Sequence, residues 1–176
     1  MDNINKYIIP ITGLSEGTHE FSFSIGKDFF DLFEESELHD GQVEIHVSLF
    51  KTTEMLDLDF ELNGNIMVEC DRCLDIFALP VDFQAKLIVE FGDENSDVSD
   101  ADEKITLSRK ENNLDLAQHF YDYINLSLPI RRIHPKDENN KSTCNKEMLK
   151  KLKELSSGDN EIDTDPRWDN LKPLMN

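Results

Sequence analysis

The run Leu56-Asp57-Leu58-Asp59-Phe60-Glu61-Leu62-Asn63-Gly64-Asn65-Ile66-Met67-Val68-Glu69-Cys70 alternates apolar and polar residues almost without interruption. A period of two places Leu56, Leu58, Phe60 and Leu62 on one face of a strand and Asp57, Asp59 and Glu61 on the other. Asn63-Gly64 favours the type I′ turn, whose twist matches a hairpin. The spacing therefore predicts strands over 55–62 and 65–70, paired across a two-residue loop, with Cys70 on the core side at the far end. Working outward, Val43, Ile45, Val47 and Leu49 alternate in the same way, and so do Phe21, Phe23 and Ile25. After Pro80, Val81, Phe83, Ala85, Leu87, Val89 and Phe91 form one more long strand. A short helix is expected over 28–35, with Phe29, Phe30, Leu32 and Phe33 as its apolar side. Short connections between these runs predict an antiparallel meander.

The second half has helical spacing. Asn113 is placed to cap a helix in which Leu116, Ala117, Phe120, Tyr121, Ile124 and Leu128 recur, ending at Pro129. A second helix is expected from Asn145 to Leu155, with Met148, Leu149, Leu152 and Leu155 on one face and lysines on the other. Residues 92–103, with six acids and no base, read as a loop. The expected architecture is α+β: a curved antiparallel sheet of about six strands, open or barrel-like, with two C-terminal helices and a flexible tail. Residues 1–155 form the expected single domain. Residues 156–176 form an acidic linker and a short segment, Asp165-Pro166-Arg167-Trp168 onward, suited to docking.

Charge narrows the partners. The net charge of −19 falls wholly within residues 1–108, which hold 6 basic and 25 acidic side chains; residues 109–176 hold 12 of each. Residues 131–154 carry eight bases, Arg131, Arg132, Lys136, Lys141, Lys146, Lys150, Lys151 and Lys153, against four acids. An acidic body is repelled by phosphate, so direct RNA contact would fall on this basic segment. A solvated helix face explains the same lysines. No apolar run reaches the length of a membrane span, and the N-terminus lacks the pattern of a secretory signal, so a cytoplasmic protein is expected.

Glu69-Cys70-Asp71-Arg72-Cys73-Leu74 sits at a junction between strand patterns. A Cys-x-x-Cys pair chelates a metal, forms a disulfide or stays as plain thiols. The third cysteine, Cys144, and His134 ten residues before it would complete a Cys3His zinc site with Cys70 and Cys73. Structural or reduced thiols remain the alternative. A thiol redox enzyme needs its first cysteine at a helix N-terminus, where the dipole lowers the thiol pKa. Here the following residues read as loop or strand, and Glu69, Asp71 and Asp75 oppose thiolate formation. No phosphate-cradling glycine loop or nucleophile elbow is present, and no small-molecule substrate is expected.

Taken in order, the strand opening at Gly64, the cysteine pair, the acidic loop, Leu114-Asp115-Leu116, Leu126-Ser127-Leu128-Pro129 and the Asp165-Pro166-Arg167 segment resemble the YceD-like family of bacterial and plastid proteins. The resemblance runs from about residue 40 to the end. It implies a non-enzymatic role in accumulation of 23S, large-subunit ribosomal RNA, with the Cys-x-Arg-Cys phrase as a family hallmark. Arg72 would then contact RNA phosphate or pair with Asp71 or Asp75. Some members of the family lack the full cysteine pair, which implies that any zinc supports the fold. The implied partner is large-subunit ribosomal RNA or a basic large-subunit ribosomal protein. Arg72, Arg131, Arg132, Lys150, Lys151, Asp165, Arg167 and Trp168 are the candidate contact residues. A zinc-stabilised interaction module is the other reading.

Overall fold

The computed structural model describes residues 4–34, 36–92 and 104–156. Two compact units divide the chain, residues 1–133 and 134–176. In the first, a 3-10 turn (Ile4–Tyr7) leads into β1 (Ile8–Pro10), β2 (Gly17–Ile25), α1 (Lys27–Phe30), β3 (Gly41–Lys51), β4 (Met55–Glu69), β5 (Ile76–Phe91), β6 (Lys104–Leu107), β7 (Asn113–Asp115) and α2 (Ala117–Ser127). The second holds α3 (Lys146–Leu155). The fold is mixed α+β. Its main sheet has five strands in the order β2-β3-β4-β5-β6, and β1 and β7 make a separate two-stranded sheet. This replaces the expected single sheet of about six strands, and no closed barrel forms among the described residues. The meander is antiparallel through β5, whereas β6 joins β5 in parallel.

Asn63-Gly64 is not a turn. The strand continues through it, with Asn63 opposite Glu44 and Gly64 opposite Val43. The reason is close approach rather than positive φ. A Cβ at Gly64 would run into the Gln42 carbonyl oxygen and lie 2.7 Å from the Cα of Val43. Glycine removes the side chain at that inward position, and the alternation Leu62, Ile66, Val68 continues on the buried side. The real hairpin turn comes at residues 70–75, joining Glu69 to its partner Ile76. β5 also starts earlier than Pro80 suggests. Pro80 faces out opposite Asn65, and its nitrogen points away from β4, so no hydrogen bond of the β4–β5 ladder is lost.

The inward face of the sheet is the core. Val43, Ile45, Val47, Leu49, Leu56, Leu58, Phe60 and Leu62 are all buried, and each contributes about 1.5–3 kcal/mol of burial energy. The aromatic side chains of α2 close over it: Tyr123 lies 5.1 Å from Phe60, and Phe120 lies 5.0 Å from Phe23 (centroid distances). α2 starts later than Asn113 implies. Leu114 is buried in the small sheet opposite Ile9, which keeps the chain extended to Asp115. The Asp115 carboxylate then accepts the Ala117 N–H at 2.9 Å. The helix stops at Ser127, and Leu128 is extended before Pro129, as the ring of a following proline requires. The expected helix at 28–35 is one turn, Lys27–Phe30, continued by turns to Phe33. α3 agrees with expectation: the Asn145 side chain accepts the N–H groups of Glu147 and Met148 as an N-cap. Its apolar residues are not buried; Leu152 and Leu155 are exposed.

Candidate functional site

The β4–β5 turn is built around its two cysteines. Cys70 follows directly after β4 on the inward parity and is buried, and Cys73 is buried with it. The turn is tied by Cys70 N–H to the Asp75 carbonyl at 3.0 Å and by Leu74 N–H to the Cys70 carbonyl at 2.9 Å. Leu74 adopts φ 64°, a left-handed conformation costly for a branched side chain. A non-glycine residue held there marks a turn whose shape is imposed by its surroundings. A second clamp comes from the chain after α2. Asp71 N–H donates to the Arg132 carbonyl at 2.8 Å, and Arg132 N–H donates to the Asp71 carboxylate at 2.6 Å.

Cys70, Cys73, His134 and Cys144 lie close together, with one ligand atom from each within 4.8 Å of every other. This grouping could hold a metal ion. Zinc–sulfur bonds of about 2.3 Å in a tetrahedron put sulfurs about 3.8 Å apart, so a small contraction of such a cluster seats the ion. Three thiolates and an imidazole are also a donor set that suits zinc, and the three cysteines are buried.

The proposed contact residues separate on inspection. Arg72 is exposed at the hairpin tip and, among the described residues, makes no ion pair with Asp71 or Asp75. Arg131 is exposed. Arg132 is engaged: besides the two backbone bonds to Asp71, its guanidinium lies 3.3 Å from the Glu37 carboxylate. Lys150 is exposed and loosely paired with Glu154 at 3.8 Å, and Lys151 is exposed. Asp165, Arg167 and Trp168 lie outside the described residues, as do residues 93–103 and 157–176, which include the expected loop and docking segment.

The outward face of the main sheet is a second candidate. Strand parity puts Glu20 of β2, Glu44 of β3, Asp57, Asp59, Glu61 and Glu69 of β4, and Asp82 and Glu90 of β5 on it. These eight carboxylates share the face with Lys86, which lies 3.0 Å from Asp57 and 3.8 Å from Asp59, and with Lys104 of β6, which lies 3.1 Å from Glu90. The sequence announces most of this face through its alternation. It also carries a signal easily passed over: Met67 and Ile76 are apolar at outward positions, and both are exposed.

A sheet with one face packed under a helix, one open acidic face and a cysteine-bearing hairpin tip defines a mixed α+β protein. The chain belongs to the YceD family, described as large ribosomal RNA subunit accumulation protein, whose model matches residues 58–175. The family's role is in accumulation of large-subunit ribosomal RNA. No curated protein and no solved structure matches the chain. Among the described residues no helix is long and apolar enough to cross a membrane.

Proposed function

We propose that the chain is a non-enzymatic, cytoplasmic factor for large-subunit ribosomal RNA accumulation that works by holding a basic large-subunit ribosomal protein. The outward sheet face carries this reading: eight carboxylates stand there against two lysines, Lys86 and Lys104. Opposite charges speed encounter and suppress wrong partners, whereas phosphate is repelled by such a surface. A shielded ribosomal protein reaches assembly intact, and the RNA that it would cover is then retained.

Direct contact with 23S rRNA is the second reading, favoured by the exposure of Arg72, Arg131, Lys150 and Lys151. The engagement of Arg132 with Glu37 leaves it a supporting residue in either case. Cys70, Cys73, His134 and Cys144 would hold a structural zinc, which would brace the hairpin turn and perform no chemistry. A redox role gains nothing from the turn: Cys70 follows the end of a strand and sits at no helix N-terminus. In this proposal residues 1–155 are the binding domain, and 156–176, with Asp165, Arg167 and Trp168, add a docking segment.

The test is a pull-down with the full tagged chain, with and without nuclease, beside the Asp59→Lys, Glu61→Lys double variant. A basic ribosomal protein should be retained after nuclease and lost from the double variant. A partner that is RNA, released by nuclease and indifferent to the charge reversal, would replace this reading with the second.

A further inference from the structure

β3 begins at Gly41 opposite Ile66, so β4 runs on beyond it to Glu69. The chain just before β3 occupies the vacated side, where the Asp40 carbonyl accepts the Met67 N–H at 3.0 Å. The result is a pocket of about 400 Å³ with Glu37, His39 and Asp40 on one side and Met67, Glu69 and Ile76 on the other. Met67 is 38% exposed and Ile76 is 68% exposed. Met67 pairs with Ala78 and Glu69 with Ile76, so Met67 and Ile76 are diagonal neighbours on one face, within reach of a shared guest.

Two apolar side chains left in water beside three carboxylates are a poor surface for solubility and a good one for recognition. Arg132 lies against Glu37 at 3.3 Å, which leaves Asp40 and Glu69 as the rim's uncompensated charge. A phosphate guest is disfavoured by that rim. A basic protein arm fits it. We propose that this pocket anchors an extended basic arm of a protein partner. One apolar side chain of the arm seats between Met67 and Ile76, and flanking Lys or Arg groups pair with Asp40 and Glu69. The inference rests on the ribosomal-protein reading above and locates its specific contact. The open acidic face supplies attraction, and the pocket supplies register, since a central apolar anchor carries more binding energy than rim charges.

The probe is a fluorescein-labelled Lys-Arg-Phe-Lys-Arg peptide, compared with Lys-Arg-Ser-Lys-Arg, in anisotropy titrations of the full chain. The phenylalanine peptide should bind at least about tenfold more tightly, equivalent to about 1.4 kcal/mol. The Met67→Ser, Ile76→Ser double variant should erase that difference while keeping the salt-sensitive attraction common to both peptides. Both positions are exposed, so circular dichroism should be unchanged. Equal binding of the two peptides by the natural chain overturns the pocket assignment. So does a preference that survives in the pocket variant and disappears in Asp59→Lys, Glu61→Lys; that outcome leaves the ribosomal-protein reading standing. Oligouridylate binding abolished by the pocket variant would overturn both.

Discussion

Replacing Gly64 with alanine puts one methyl group into the tightest backbone approach of the β3–β4 ladder. The new Cβ would meet the Gln42 carbonyl oxygen and stand 2.7 Å from Val43 Cα, and neither obstacle is a side chain that can rotate aside. The two strands must part locally. Gly64 is not among the residues with positive φ, so alanine brings no dihedral strain. Its lower unfolded-state entropy would on its own stabilise the fold by about 0.4–1 kcal/mol. Overpacking works in the other direction at about 1–3 kcal/mol, and each ladder hydrogen bond disturbed adds about 1 kcal/mol. The net expectation is a loss of about 2 kcal/mol, or about 4–8 °C in Tm for a chain of this length. Thermal and urea unfolding followed by circular dichroism measure it, with an unchanged urea m-value showing that only stability moved. Gly13→Ala is the control: nothing stands within 4 Å of its Cβ, and its cost should stay within about 0.5 kcal/mol. Gly64→Asn separates strand from turn. Asparagine suits a type I′ turn but clashes more than alanine here, so it should be the worse substitution. A Gly64→Ala chain that melts with the Gly13→Ala control, or an asparagine variant that outlasts alanine, would refute the close-approach argument.

Two further outcomes follow from particular side chains. If Cys70, Cys73, His134 and Cys144 hold zinc, native mass spectrometry should find one ion per chain, absent from Cys70→Ser and Cys144→Ser. With zinc at a hundred times its Kd, the metal adds about 2.7 kcal/mol, and a chelator should remove that stabilisation from the natural chain alone. A metal-free natural chain with an unchanged midpoint would rule the site out. Tyr7 has its pKa raised above the usual 10.0, first by burial and then by the nearby Asp28 carboxylate. The fold therefore binds the phenolic proton more tightly than the unfolded chain does. Its contribution is complete below pH 10 and fades as pH rises above it, because ν_N then exceeds ν_U. Urea midpoints taken from neutral pH to above pH 10 should fall less steeply in Tyr7→Phe than in the natural chain; parallel curves would contradict the assignment.

The parts of the fold that could be read from the chain are those set by local periodicity. Val43 to Leu49, Leu56 to Leu62 and Val81 to Val89 alternate because one side of each strand is buried, and the structure keeps that parity throughout. The helix at 146–155 carries its own start signal in Asn145. What escaped reading depended on neighbours remote in sequence. Asn63-Gly64 looks like a turn until Gln42 and Val43 lie against it. Asn113 looks like a cap until Leu114 finds Ile9. The parallel partner of β5 lies beyond residues 93–103 in the sequence, and no period announces a parallel pairing. In the site, the cysteine spacing suggested a ligand set that the structure brings within 4.8 Å, whereas Arg132 looked like a contact residue and is clamped to Asp71 and Glu37. The pocket beside Met67 was legible only as a break in parity, an apolar residue where Asp57, Asp59 and Glu61 set a polar rule.

The arrangement of the acids on the outward face bears on whether that face is for solubility or for binding. Like charges directly opposite each other across a sheet are destabilising, and this ladder contains none of them among the eight carboxylates. Glu20 faces Ser48, Glu44 faces Ser24 on one side and Asn63 on the other, and Asp59 lies between Ser48 and Lys86. Glu61 lies between His46 and Gln84, and Asp82 faces Asn63. The Ser24 and Ser48 hydroxyls donate to Glu44 and Glu20 at 2.8 and 3.0 Å, which holds those carboxylates outward without cancelling their charge. Self-repulsion is thus lowered by staggering the acids among neutral partners, while Lys86 supplies local neutralisation at Asp57 and Asp59. A face serving solubility alone would intersperse both signs, which costs less. On the ribosomal-protein reading proposed above, a dense negative field on a sheet, with each charge fixed by its strand position, would attract a strongly basic chain and orient it along β4 toward the pocket at Met67.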